Sequence, residues 1–196
     1  MQKPQVYNTS EKSIHIVEGR HIDTNGNIVL LGGSNLGRII LFKGQSQYDV
    51  LRVFIDQLGI AFESLGKEVV IVDLLANNVN QQLQQAFSKS CDFVFAFNAM
   101  GIDLQINNRS LYDAMDIPFI AALVDDPVYH LPRLEQPVEN MLIGCVDRSH
   151  MNFINSYYGN QRTCFFLPHG GCKFIEKKPS QSNNKLSREI DILFAG

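Results

Sequence analysis

Short apolar runs rich in Ile, Val and Phe alternate along the chain with longer segments whose apolar residues recur at helical spacing. Runs of this kind are typical of strands buried on both faces of a parallel sheet. They predict six strands, at residues 38–42, 68–74, 92–98, 117–124, 141–146 and 163–167. The segments between them predict helices, at residues 48–65, 78–88, 108–115 and 149–158. The alternation of strands and helices predicts an α/β fold with a doubly wound parallel sheet.

Polar residues mark where several of these elements begin and end. Ser46 is placed to cap the first helix and Gly66 to end it, and Ser149 is placed to cap the last helix. Phe93, Phe95 and Phe97 alternate along the third strand, which predicts that they belong to the core.

Residues 1–37 form an extension ahead of the first strand of the sheet. Two β-prone segments, Ile14–Val17 and Ile28–Leu31, flank the dipeptide Asn25-Gly26, which predicts a β-hairpin beside the main sheet. Gly32, Gly33 and Gly37 are also compatible with a phosphate-binding loop. That interpretation is disfavoured because a strand, not a helix, follows the glycines.

An aspartate pair follows the fourth predicted strand directly. Ile117–Val124 is a continuous apolar run, and Asp125, Asp126 and Pro127 come next. In parallel α/β sheets ligands bind beyond the carboxyl ends of the strands. The two carboxylates are therefore candidates for a general base, a ligand for sugar hydroxyls or part of a metal site. The competing interpretation is a turn in which an aspartate caps a short helix.

Other strands are also followed by polar residues or glycines at the same predicted edge. These residues are Lys43, Gly44, Gln45, Ser46, Asn98, Met100, Gly101, Tyr129, Asp147, Arg148, His169, Gly170 and Gly171. The mix of hydroxyls, amides, carboxylates and a histidine predicts a polyhydroxylated ligand. With the first and fourth strands adjacent, the aspartate pair, Gly44–Ser46 and His169 are expected to share one crevice. The alternative is that every strand end simply meets a polar loop.

Composition narrows the function classes. The chain has 196 residues, of which 45% are apolar, and a formal net charge of −3 without a basic cluster, which disfavours nucleic acid as a partner. The four cysteines show no CxxC spacing, and three lie in or beside predicted strands, which predicts reduced thiols in a cytoplasmic protein. The sequence contains neither an apolar signal region nor a run of transmembrane length. No spacing of ligands predicts a metal site.

The C-terminal motifs resemble those of a known enzyme family. Pro168-His169-Gly170-Gly171 ends the sixth strand, residues 177–189 have the composition of a linker, and Asp191–Gly196 reads DILFAG, like a new buried strand. This layout resembles the two-domain glycosyltransferases of the GT-B fold, in the branch related to spore-maturation-type proteins. The resemblance covers residues 38–196. His169 stands where the common pattern has asparagine.

The resemblance implies specific roles. Residues 38–176 are expected to form the Rossmann-like, acceptor-side domain, and residues 177–196 a linker and the first strand of a C-terminal donor domain. The nucleotide-sugar donor is expected to bind that other domain, so no cofactor is expected here. Asp125 or Asp126 is implied as the acceptor-side carboxylate, and His169 as a hinge residue near the donor phosphate or acceptor hydroxyl. His130 is expected to be an exposed loop residue.

Substrate binding is predicted for a larger group of strand-end residues. They are Gly44, Gln45, Ser46, Asn98, Gly101, Tyr129 and Gly170. The acceptor is a small molecule, a glycan or a protein, and a homodimer is left open.

Three other classes of function compete with a sugar transferase. A stand-alone Rossmann-like module that binds a nucleotide, a sugar or a protein without catalysis fits the same pattern. A receiver-like regulatory domain needs an acidic pair after the first strand and an aspartate after the third, where Lys43 and Asn98 stand. A nicotinamide-binding domain needs GxGxxG after the first strand, and the sequence there is KGQSQ.

Overall fold

A computed structural model of the chain describes residues 37–171 and, before them, only short strands. Asn8–Thr9 pairs with Lys12–Ser13, and Ile16–Val17, Arg20–Ile22 and Ile28–Leu30 form a three-stranded antiparallel sheet. The Asn25-Gly26 dipeptide lies between Arg20–Ile22 and Ile28–Leu30, and these two strands pair with each other. The predicted partner of the second strand, Ile14–Val17, is therefore wrong. The glycines at 32 and 33, the linker and the final predicted strand lie outside the described residues.

The main sheet has six parallel strands, which confirms the predicted fold class. In chain order they are β1 (Arg38–Lys43), β2 (Glu68–Asp73), β3 (Phe93–Phe97), β4 (Phe119–Leu123), β5 (Met141–Cys145) and β6 (Thr163–Phe166). Their spatial order is β2-β1-β3-β4-β5-β6. The expected adjacency of β1 and β4 is wrong, because β3 lies between them. The strand order reverses between β1 and β3, which is where doubly wound sheets open a crevice.

Five α-helices connect the strands. They are α1 (Val50–Ser64), α2 (Val79–Ala86), α3 (Leu111–Ala114), α4 (Leu131–Leu134) and α5 (Arg148–Tyr158). Short 3₁₀ turns lie at Gln47–Asp49, Pro127–His130 and Gly159–Gln161, and Gln105–Ile106 pairs with Arg109–Ser110 in a small hairpin. None of the helices in the described part of the chain is long and apolar enough to cross a membrane.

Capping residues mark the ends of α1 and the start of α5, and the predicted cap of α5 is wrong. The Ser46 hydroxyl accepts a hydrogen bond from the Leu51 amide at 3.1 Å, and Gly66 adopts a left-handed φ of 78° just beyond α1. The cap of α5 is Asp147, not the predicted Ser149, because the Asp147 carboxylate accepts the Ser149 amide at 2.7 Å. An anionic group is favoured there by the positive end of the helix.

The two faces of the sheet carry separate apolar clusters. Ile39, Leu41, Phe93 and Phe95 pack with Ile55 of α1 on one face. The other face is larger and packs against the remaining helices through Ile40, Phe42, Val94, Phe119, Tyr112, Leu134 and Ile154. The prediction that Phe93 and Phe95 belong to the core is confirmed, and Phe97 is half-buried against their cluster. A sheet packed on both faces holds its strand ends in fixed positions.

Candidate functional site

A crevice opens at the carboxyl ends of β1 and β3. Its first cavity has a volume of about 420 Å³ and is lined by Gln45, Ser46, Gln47, Asn98, Met100 and Arg133. A second cavity of about 370 Å³ shares Gln45, Met100 and Arg133 and reaches Gly101, Asp103 and Gln136. We call the two together the switch-point crevice. Three of the residues predicted from sequence, Gln45, Ser46 and Asn98, meet in its first cavity.

Asn98 joins the ends of β3 and β4. Its side-chain oxygen accepts the Val124 amide at 3.0 Å, and its side-chain nitrogen donates to Asp125 Oδ2 at 2.8 Å. Its backbone carbonyl accepts a hydrogen bond from Arg133 Nη1 at 3.2 Å. Asn98 and Ala99 both have left-handed backbones, with φ of 51° and 53°. Asparagine tolerates that conformation better than most residues, so Asn98 suits this turn as well as these contacts.

Two of the three glycines predicted to bind substrate, Gly44 and Gly101, line the second cavity of the crevice and have packing roles there. A Cβ on Gly44 would overlap the Sδ atom of Met100, which lines both cavities. Gly101 has a φ of 82°, and a Cβ there would lie 2.6 Å from Cδ2 of Phe42. Both positions need glycine so that the backbone can approach its neighbours closely.

The two aspartates have different environments. Asp126 caps the 3₁₀ turn Pro127–His130, with Oδ1 accepting the Val128 amide at 3.0 Å, as the turn interpretation predicts. Asp125 takes no part in that turn cap. Its Oδ2 accepts from Asn98 and lies 3.7 Å from Nε2 of His130, while 58% of its side chain stays exposed. Asp125 lines neither cavity, but Asn98, which lines the first, holds it next to that cavity with most of its side chain open to solvent.

His130 contradicts the expectation of an exposed loop residue, because only 7% of its surface is exposed. The turn that Asp126 caps folds the ring inward, and neither ring nitrogen has a hydrogen-bond partner among the described residues. Burial, and then the charge of Arg133, lower its pKa, and Asp125 acts in the opposite direction. At 3.7 Å the Asp125 contact is too long for a hydrogen bond. His130 is therefore a neutral imidazole beside the crevice at neutral pH.

Two ion pairs fix the loop that follows β1, and sequence analysis missed both. Lys43 Nζ lies 2.6 Å from Asp56 Oδ2, and Arg52 binds both carboxylate oxygens of Asp73 at 3.0 and 2.6 Å. Arg52 Nη1 also donates to the carbonyls of Lys43 and Gly44 at 3.3 Å. The hydrogen bond from Arg52 holds the pKa of Asp73 below its usual range. Arg52 and Asp73 stand 21 positions apart, so no local spacing signals the pair.

The remaining predicted site residues lie elsewhere. Tyr129 is 78% exposed on the Pro127–His130 turn, and it lines neither cavity. His169 and Gly170 are exposed beyond β6, the edge strand of the sheet. β6 lies three strands away from β3 in the sheet, which is a distance of roughly 14 Å. The expectation that His169 shares the crevice with Gly44–Ser46 is therefore wrong for this domain, and its role toward a donor stays a prediction.

Sequence analysis also missed Arg133. It is exposed, lies in α4 and contributes to the wall of both cavities. The segment Pro127–Leu134 contains two prolines and lacks helical periodicity, so the sequence carries no signal that it folds back over the strand ends. In the described part of the chain, no group of three or more His, Cys, Asp or Glu side chains is arranged to hold a metal ion.

Comparison with known proteins adds no family assignment. The chain matches no family model, no curated protein and no solved structure. The site must therefore be interpreted from its own geometry and from the motifs in the sequence.

Proposed function

We propose that this chain is the acceptor-side domain of a glycosyltransferase that uses a nucleotide-sugar donor. In this proposal the hydroxyl-bearing acceptor binds in the switch-point crevice. The donor binds mainly to a separate C-terminal domain, as the resemblance to GT-B enzymes implies.

The chemistry of the crevice wall supports a polyhydroxylated ligand. Gln45, Gln47 and Asn98 offer amide donors and acceptors, and Ser46 offers a hydroxyl. Sugar hydroxyls both donate and accept hydrogen bonds, so neutral groups of both kinds suit them. The volume of about 420 Å³ falls within the range of small-ligand sites.

The start of α1 is poorly suited to hold a nucleotide phosphate. Phosphate sites in α/β folds use the free amides and positive dipole at a helix N-terminus. Here Asp49 directly precedes α1, and its negative charge, 3.5 Å from Arg52 Nε, disfavours an anion at the start of the helix. This agrees with a donor that binds elsewhere.

The observation that carries the proposal is the fixed position of Asp125. A carboxylate that Asn98 holds at the crevice edge, yet leaves half exposed, can accept the proton of an attacking hydroxyl.

The test is a transfer assay on a protein that joins this chain to a donor domain. Asp125→Asn should lower turnover at least about 100-fold, since general-base catalysis contributes about 10² to 10⁴, with little change in melting temperature. Asp126→Asn is the matched control, because asparagine also caps turns, and it should retain activity. Normal turnover of Asp125→Asn would remove the proposed base.

A further inference from the structure

We infer that the first cavity of the switch-point crevice selects an acidic sugar, whose carboxylate or phosphate binds the guanidinium of Arg133. This inference rests on the proposed function, because it names the class of acceptor. It adds that the ligand carries a negative charge and that Arg133 binds this charge.

The charge distribution around the cavity favours an anion. Arg133 is the only charged residue among the described residues that line the first cavity, and no carboxylate lines it. Asp125 bonds to Asn98 but is not part of the cavity wall, and Asp103 lines only the second cavity. A ligand in the first cavity therefore meets one positive charge and neutral polar groups.

Two other cations near the crevice are already neutralised. Lys43 pairs with Asp56, and Arg52 pairs with Asp73 in a two-pronged contact. Arg133, by contrast, makes one hydrogen bond among the described residues, from Nη1 to the Asn98 carbonyl. A guanidinium has five N–H donors in a planar fork, so Arg133 retains an edge that can bind a carboxylate or phosphate in the same two-pronged way.

The remaining wall residues can hold the rest of a sugar. The Asn98 carbonyl holds Arg133 Nη1 at the wall of the first cavity, to which the loop Gln45–Gln47 also contributes. An acidic group on Arg133 thus leaves the sugar hydroxyls facing the two glutamines, Ser46 and Asn98. Arg133 would act as a specificity residue, since neutral sugars lack its partner.

His130 provides an internal reporter of this contact. Burial is the main cause of the lowered pKa of His130, and among the charged groups that act on its imidazole Arg133 lowers the pKa while Asp125 and Asp126 raise it. An anion bound to Arg133 offsets that positive charge. The pKa of His130 should therefore rise when an acidic sugar binds and stay constant when a neutral sugar binds.

The test compares methyl β-glucuronide with methyl β-glucoside, which differ in a carboxylate and a hydroxymethyl group. Both are titrated into the isotopically labelled chain, and dissociation constants are taken from the amide shifts of Gln47 and Asn98. The glucuronide should bind at least about tenfold more tightly, as expected for a charge-assisted contact. Arg133→Gln should abolish the difference, Arg133→Lys should retain part of it, and Arg109→Gln, an exposed arginine that lines neither cavity, should leave it unchanged.

The outcomes separate this inference from the proposed function. Equal binding of the two glycosides in the crevice would overturn the acidic-sugar inference and leave the sugar site standing. Binding of neither, or shifts confined to another surface, would overturn both. If Arg133→Gln does not fold, the rise in the His130 pKa on glucuronide binding to the wild-type chain decides, and a constant pKa contradicts the inference.

Discussion

Replacing Asp126 by alanine removes the oxygen that accepts the Val128 amide and caps the Pro127–His130 turn. We expect a loss of about 1 kcal/mol in the free energy of unfolding, the typical worth of a cap. Asp125→Asn should cost only a few tenths, because asparagine still offers an oxygen to Asn98 Nδ2. Denaturant unfolding of both variants checks this difference, and equal losses would contradict the separate roles of the two aspartates.

His130 should make stability depend on pH. Its pKa in the folded chain lies below the ordinary value of 6.5, so between these two values the unfolded chain binds the proton and the folded chain does not. Stability is therefore fully present above about pH 6.5 and falls as the pH drops toward the lower, folded-state value. Thermal unfolding across this interval should show a slope that His130→Gln reduces, and an unchanged slope would contradict the burial of a neutral imidazole.

For single residues, the sequence shows which side chains follow a strand, but it does not show what surrounds them in the fold. Asp125 could be predicted because it follows a buried strand, and Asn98 because it ends another. The sequence also indicates that Asp126 is the turn residue, because it precedes Pro127, and the structure confirms that role. Sequence analysis missed His130 and Arg133, because their placement depends on contacts with strand ends that are distant in sequence.

The loop after β3 should be intolerant of side chains at Gly101. Gly101→Ala combines a left-handed backbone with a Cβ 2.6 Å from Phe42, while Gly66→Ala has a similar φ and nothing within 4 Å. Gly66→Ala should cost about 1–2 kcal/mol from backbone strain, and Gly101→Ala about 1–3 kcal/mol more from overpacking. Chemical denaturation measures both, and equal losses would show that the Phe42 contact relaxes freely.

Strands were predicted well and short helical pieces poorly. The four inner strands are runs of mostly buried apolar residues, and the edge strands β2 and β6 are apolar but only partly buried. The 3₁₀ turn Pro127–His130 and the four-residue α4 are too short to show a helical period. These two elements carry His130 and Arg133, so the crevice wall that they build escaped prediction.

For the whole molecule, the sequence predicted the fold class but not the order of the strands in the sheet. Alternation of strands and helices implies a parallel sheet, yet it does not state which strands are neighbours. The observed order puts β3 beside β1, which brings Asn98 to Gln45 and Ser46. The same order leaves β6, and with it His169, at the far edge.

The chain of residues 1–196 by itself should bind acceptors without turning over donors. Transfer needs donor and acceptor held together, and the proposed donor site belongs to another domain. Incubation with nucleotide-sugars and candidate acceptors should give neither transfer nor hydrolysis. Clear turnover by this chain alone would contradict the proposal that acceptor and donor bind to separate domains.

The central claim is that the switch-point crevice binds a hydroxyl-rich ligand. The most direct measurement is a map of backbone amide shifts in the labelled chain on titration with a panel of methyl glycosides. Saturable shifts are expected at residues 44–47, 98–101 and 133, around the two cavities. Shifts confined to residues 167–171 at the edge strand, or no saturable shift with any glycoside, would contradict the claim.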